Sequence, residues 1–161
     1  MTYARFEDVP VWQEAARLYE AAEDLLENES FPASRGYRDQ LDRAALSVSN
    51  NIAEGFDRGT NPDLLNFLYI SRGSTGEVRS MLCMLEKMVA FRNQESGIRN
   101  LKLQTESISK QLGGWVRSLR DSDLKGERYV SEKTRQADMA RRGRDEFLKE
   151  LEQIRNGGAR T

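Results

Sequence analysis

The sequence contains no histidine and only one cysteine, Cys83. Without histidine, Ser-His-Asp and Cys-His catalysis, histidine-ligated zinc and a histidine pH switch are excluded. One thiol supports neither an internal disulfide nor a multi-thiolate metal site. Proline is scarce, at three residues, so long stretches are free of the residue that most disrupts a helix. No segment approaches the ~20 consecutive apolar residues of a membrane-spanning helix. Met1-Thr2-Tyr3-Ala4-Arg5 leads into charged residues without the apolar centre of a signal peptide. A soluble, cytoplasmic protein is the expectation.

What is present is charge and helical periodicity. Charged side chains make up 32% of the 161 residues, and the length suits one domain of modest core with an appendage. Charge is unevenly distributed. Residues 1–30 carry two basic and eight acidic groups (−6), residues 31–120 thirteen and nine (+4), and residues 121–161 ten and nine (+1). An acidic first helix against a more basic remainder can match charges within a bundle or between subunits, or leave a basic surface for an anionic partner. Ordinary solvated helix faces account for the same pattern.

Four amphipathic segments stand out. In the first, from about Phe6 or Asp8 to Glu27, Val11/Trp12, Ala15, Leu18/Tyr19, Ala22 and Leu25/Leu26 recur at three- and four-residue steps. Pro10 suits its first turn, where a missing N–H goes unnoticed. Ser34 is a candidate N-cap for a second helix reaching Phe56, with Gly55, Gly59 and Asn61-Pro62 punctuating the chain there. A third helix starts near Asn61, with Pro62 at its first position and an inner stripe of Leu64, Phe67/Leu68, Ser71, Thr75, Val78, Leu82, Leu85 and Val89. Gln94 to Gly97 reads as the break before a fourth helix. There Ile98, Leu101, Thr105, Ile108, Leu112, Trp115 and Leu119 alternate steps of three and four, the pattern of a narrow helix–helix seam. The expected fold is all-α: an antiparallel up-and-down four-helix bundle over residues 6–120. Residues 121–161 are expected to form a linker and a C-terminal helical or partly disordered extension.

Two further stripes bear on function. On the second helix, Gln40, Arg43, Ser47, Asn51 and Glu54 share one quadrant beside the apolar Leu41, Ala45, Val48 and Ile52. Arg43 and Arg72 are expected to partner Glu54 and Glu77 in a structural polar network that includes Ser47 and Asn51, with anion contact as the alternative role. On the third helix, Leu65, Tyr69, Gly73 and Gly76 lie away from the inner stripe. Interior glycines each cost on the order of 1 kcal/mol relative to alanine, a cost that close approach of another backbone offsets. These four residues, with Leu46 and Ala53 pointing outward on the second helix, suggest contact between copies of the chain.

Several ordered segments resemble one family. They are Phe6-Glu7-Asp8-Val9-Pro10-Val11-Trp12-Gln13-Glu14-Ala15, Arg43-Ala44-Ala45-Leu46-Ser47 followed by Asn51-Ile52-Ala53-Glu54-Gly55-Phe56, Phe67-Leu68-Tyr69-Ile70-Ser71-Arg72-Gly73-Ser74 with Glu77, and Leu112-Gly113-Gly114-Trp115-Val116-Arg117-Ser118-Leu119. Together they are similar to the four-helix-bundle proteins encoded in intervening sequences of 23S rRNA genes. The resemblance implies an up-and-down bundle that assembles as a ring-shaped homopentamer. It also implies kinship with accessory proteins of diversity-generating retroelements, which bind reverse transcriptase and nucleic acid through a basic pentameric surface.

The functional expectation is a non-catalytic oligomeric scaffold or adaptor that recruits a protein or nucleic-acid partner, a reverse transcriptase complex among them. A structural or protein-interaction oligomer without a nucleic-acid role is the alternative. A carboxylate-metal enzyme is remote, because the Glu-x-x-His motifs of di-iron bundles are absent. No cofactor is expected. Arg92, Arg99, Lys102 and Arg117 are the candidate nucleic-acid contacts, presented by the third–fourth connection and the fourth helix.

Overall fold

The computed structural model describes residues 3–28 and 31–121. The expected extension beyond Asp121 lies outside them. Among the described residues, four helices follow one another: α1 (Pro10–Glu27), α2 (Arg35–Asp57), α3 (Asn61–Glu86) and α4 (Glu95–Arg120). A short 3-10 turn, Phe6–Asp8, precedes α1, and a second, Val89–Gln94, joins α3 to α4. Each helix packs on its neighbours in chain order and α1 closes the bundle against α4. Partners run in opposite directions: Ser47 meets Ser74 while Gln40 meets Glu77. Likewise Lys102 meets Glu86 while Glu106 meets Arg79.

Local chemistry sets the helix starts. Pro10 occupies the first position of α1, where it forfeits no hydrogen bond. Ser34 Oγ accepts from the Tyr37 N–H at 3.3 Å, and Thr60 Oγ1 accepts from the Asp63 N–H at 3.2 Å, each satisfying one donor that the helix itself leaves unpaired. Pro62 falls one position inside α3, which opens on Asn61. Gly59 carries the turn between α2 and α3 at φ 77°, a left-handed conformation that L side chains adopt with strain.

The core is the apolar stripe of each helix. Val11, Ala15, Leu18, Ala22 and Leu25 face Leu41, Ala45, Val48, Ile52 and Phe56, with Leu64, Leu68, Val78, Leu82 and Leu85 from α3 and Ile98, Leu101, Ile108, Leu112 and Val116 from α4. Removing a side chain such as Leu112, which is fully buried, to alanine costs about 2–5 kcal/mol. Ser71, Thr75 and Thr105 also sit inside. Ser71 donates across the α2–α3 contact to the Val48 carbonyl at 2.8 Å, and Thr75 donates to the Ser71 carbonyl at 2.9 Å. Their hydroxyls are therefore satisfied where water does not reach.

Three boundaries and burials differ from the sequence expectation. α3 ends at Glu86, and Val89, expected on its inner stripe, is 69% exposed in the following 3-10 turn. The break therefore spans Lys87 to Gln94, and α4 begins at Glu95 within the stretch expected to be the break. Trp12 and Trp115 pack on the core but are only partly buried. Trp12 lies edge-on to Phe6, with ring centroids 5.1 Å apart.

Candidate interaction surface

The polar stripe on α2 divides by depth. Near its centre, Ser47 and Ser74 hydroxyls lie 2.9 Å apart across the α2–α3 seam. Asn51 Nδ2 donates to the Ser47 carbonyl at 2.7 Å and to its hydroxyl at 2.9 Å. These residues are partly buried and fix how the two helices meet. At the rim, Gln40 donates to Glu77. Arg43 turns to Gln40 Oε1 at 3.1 Å and to the Asp39 carbonyl at 3.3 Å. Glu54 holds Arg58 at 2.7 Å, one helical turn away.

The expected arginine pairings with Glu54 and Glu77 are therefore not formed. Gln40 takes the Glu77 carboxylate, and Arg43 donates to Gln40 instead. Arg72 sits on the flank of α3 that faces α4, where a Cβ on Gly113 would lie 3.9 Å from its Cζ. Glu54, on α2, pairs with Arg58 instead.

Among the described residues, the outer face of α3 is uncommitted. Tyr69 is 47% and Ile70 44% exposed, and a Cβ built on Gly73 or Gly76 meets nothing within 4 Å. Leu65, assigned to the same face, is partly buried against the core. Leu46 of α2 is also exposed.

The four basic residues chosen from sequence do not form one patch. Arg92 and Arg99 line a shallow cleft with Asn93, Glu95 and Ser96. Arg99 is paired to Glu95 at 2.6 Å, and Lys102 to Glu86. The Glu86 carboxylate raises the Lys102 pKa, its hydrogen bond being the largest cause. Arg117 lies 18 residues beyond Arg99 on the same helix, roughly 27 Å along its axis at 1.5 Å per residue.

Two features escaped sequence reasoning. Arg38 ties the α1–α2 connection: it donates to the backbone carbonyls of Leu26 and Phe31 and, at 3.4 Å, of Ala33. Its guanidinium also lies over the Phe31 ring, 5.2 Å from the centroid. Phe31 and Phe91, from the two connections at this end of the bundle, are buried edge-to-face at 5.0 Å. Nearby, a cleft of about 400 Å³ opens between α1 and α4, lined by Asp24, Asn28, Asn93, Gln94, Asn100 and Gln104 among others. Among the described residues, no group of three or more Cys, Asp or Glu is placed to hold a metal ion, and no helix is long and apolar enough to cross a membrane.

Over the described residues these features define an all-helical, up-and-down four-helix bundle whose distinctive chemistry lies on helix flanks and outer faces. The family model of the 23S rRNA-intervening sequence protein matches residues 7–114. That is about two thirds of the 161 residues, and the chain belongs to this family. No curated protein matches it.

Proposed function

We propose that this protein is a self-assembling, non-catalytic scaffold whose assembled surface recruits nucleic acid or a nucleic-acid enzyme. The observation that carries the self-assembly is the outer face of α3, where Tyr69 and Ile70 stand exposed beside Gly73 and Gly76, both open to solvent. Two glycines within a helix lower its stability. Close backbone approach by a second copy gives them a use, and the neighbouring aromatic and aliphatic groups supply area to bury. The homopentameric ring is the form implied by the sequence resemblance. Recruitment of nucleic acid is supported by the excess of basic side chains over residues 31–120, thirteen against nine. Repetition around a ring multiplies weak contacts through effective concentration.

Light scattering on the purified chain at micromolar concentration, coupled with nucleic-acid binding at several salt concentrations, tests both halves. The expected result is an oligomer mass with weak, sequence-tolerant, strongly salt-dependent binding. A monomer mass overturns the scaffold. An oligomer that binds neither single- nor double-stranded DNA or RNA at low salt leaves a protein-interaction assembly instead.

A further inference from the structure

Charges along the α3–α4 seam form a ladder that changes character partway. Lys102 pairs with Glu86, and at the next rung Arg79 pairs with Glu106 at 2.8 Å. Seven residues before Arg79 on α3 stands Arg72, and seven after Glu106 on α4 stands Gly113. The third rung thus has its arginine but no acid opposite. A Cβ on Gly113 would lie 3.9 Å from Arg72 Cζ and 3.9 Å from Arg117 Nη1. Guanidinium groups from two helices therefore converge over the missing side chain, at most about twice that distance apart.

Neither arginine pairs with a carboxylate among the described residues, whereas Arg58, Arg79, Arg99 and Lys102 each do. Arg117 and Arg120 lie in the last turn of α4, where cations suit the negative end of the helix dipole. That account does not extend to Arg72 in the middle of α3. Like charges held this close repel, and an anion between them reverses the sign of the interaction. Lys110, Gly113, Arg117 and Arg120 fall at i, i+3, i+7 and i+10, on one side of α4. Lys110 and Arg120 also have no carboxylate partner among the described residues. A row of cations fits an anion repeated along a chain better than a single carboxylate.

We propose that this flank binds the phosphodiester backbone of a nucleic acid, with Arg72 and Arg117 clasping one phosphate over Gly113. Guanidinium forks match phosphate oxygens geometrically. Contacts of this kind position a strand without reading its bases. The proposal rests on the nucleic-acid reading above and assigns it a place.

The test measures binding of labelled single- and double-stranded DNA and RNA by fluorescence anisotropy across a salt series. The proteins are wild type, Arg72→Gln with Arg117→Gln, Gly113→Glu, and the charge-matched control Arg17→Gln with Arg35→Gln. Circular dichroism and oligomer mass confirm that each variant is folded. The double clasp variant is expected to bind at least roughly tenfold more weakly and to lose about one unit of salt slope, since the two arginines share one phosphate. Gly113→Glu, which supplies the absent acid, is expected to weaken binding similarly, and the control to retain wild-type affinity. Wild-type binding with unchanged clasp variants overturns the site but not nucleic-acid recruitment. Equal losses in clasp and control variants also overturn the site, leaving diffuse charge. Displacement by polyglutamate as effective as by a polynucleotide of equal length assigns the flank to an acidic protein instead. No wild-type binding overturns the site and the nucleic-acid reading together.

Discussion

Gly55 and Phe67 meet where α2 and α3 press against each other. A Cβ on Gly55 would lie 2.6 Å from Phe67 Cβ and 3.3 Å from Leu64 Cα, closer than the packed atoms can stand. Arg58 closes the outside of this contact, its guanidinium 5.1 Å from the Phe67 ring centroid. The glycine thus permits the antiparallel approach that also places Ser71 against the Val48 carbonyl.

Glycine-to-alanine substitutions in this chain are therefore expected to have opposite signs. Gly55→Ala gains helix propensity but forces the helices apart, a cost of about 1–3 kcal/mol for an overpacked contact. Gly73→Ala and Gly76→Ala meet open space and should each stabilise the folded subunit by up to about 1 kcal/mol. Urea unfolding of the three variants under conditions that hold the oligomeric state constant checks the signs. A stabilised Gly55→Ala would show that α2 and α3 have room to spare.

Half-buried Arg38 is expected to be the most sensitive charged residue of the bundle. Its guanidinium serves the carbonyls of Leu26, Phe31 and Ala33 together and covers Phe31. Arg38→Ala should destabilise by about 1.5–3 kcal/mol, the range for hydrogen bonds to a charged group. Arg38→Lys should recover little, because an ammonium lacks the planar fork and the stacking face. Thermal unfolding of both variants decides the matter, and full recovery by lysine would reduce the role of Arg38 to its charge.

Tyr37 makes stability depend on alkaline pH. Its hydroxyl donates to the Met81 carbonyl at 2.5 Å, and burial pushes its pKa from 10 up to about 12. The unfolded chain releases this proton first, so the contribution is complete below about pH 10 and is lost as pH rises through about 12. Tyr19 is also pushed up to about 12, by its hydrogen bond to Glu23, by burial and by Asp42. In a Tyr19→Phe background, unfolding free energy should fall more steeply over this window with Tyr37 present than with Tyr37→Phe. Parallel curves would place the titration elsewhere.

The sequence made the helices legible because burial repeats with helical period. Ile98, Leu101, Thr105, Ile108 and Leu112 are all buried as their spacing requires. By the end of α4, Val116 is buried and Trp115 only partly so. A straight helix turns ~20° per heptad relative to a strict seven-residue seam, so the buried line moves to the next residue. Phe31, Phe91 and Arg38 were not legible, since they lie in or bond to connections, where no period exists and the partners are backbone carbonyls. Arg72 was misassigned because a helical wheel distinguishes faces but does not say which neighbour each flank meets. Likewise, Arg99 and Arg117 share a helix yet stand at its opposite ends, a separation that similarity of charge does not convey.

The outer face of α3 provides the most direct test of assembly. Tyr69 and Ile70 are exposed, and Gly73 and Gly76 leave backbone open along the same helix. Leucine at both glycines has room within the subunit, and its helix propensity exceeds that of glycine. Gly73→Leu with Gly76→Leu should therefore preserve or raise subunit helicity. If a second copy packs its backbone here, the added side chains hold the two surfaces apart and the assembly dissociates. Light scattering is then expected to give a smaller mass for the double variant than for wild type, while far-ultraviolet circular dichroism shows undiminished helix. An oligomer of unchanged mass would remove Gly73 and Gly76 from the interface. A loss of helicity would instead mean that the substitutions act within the subunit, against the open space around both glycines.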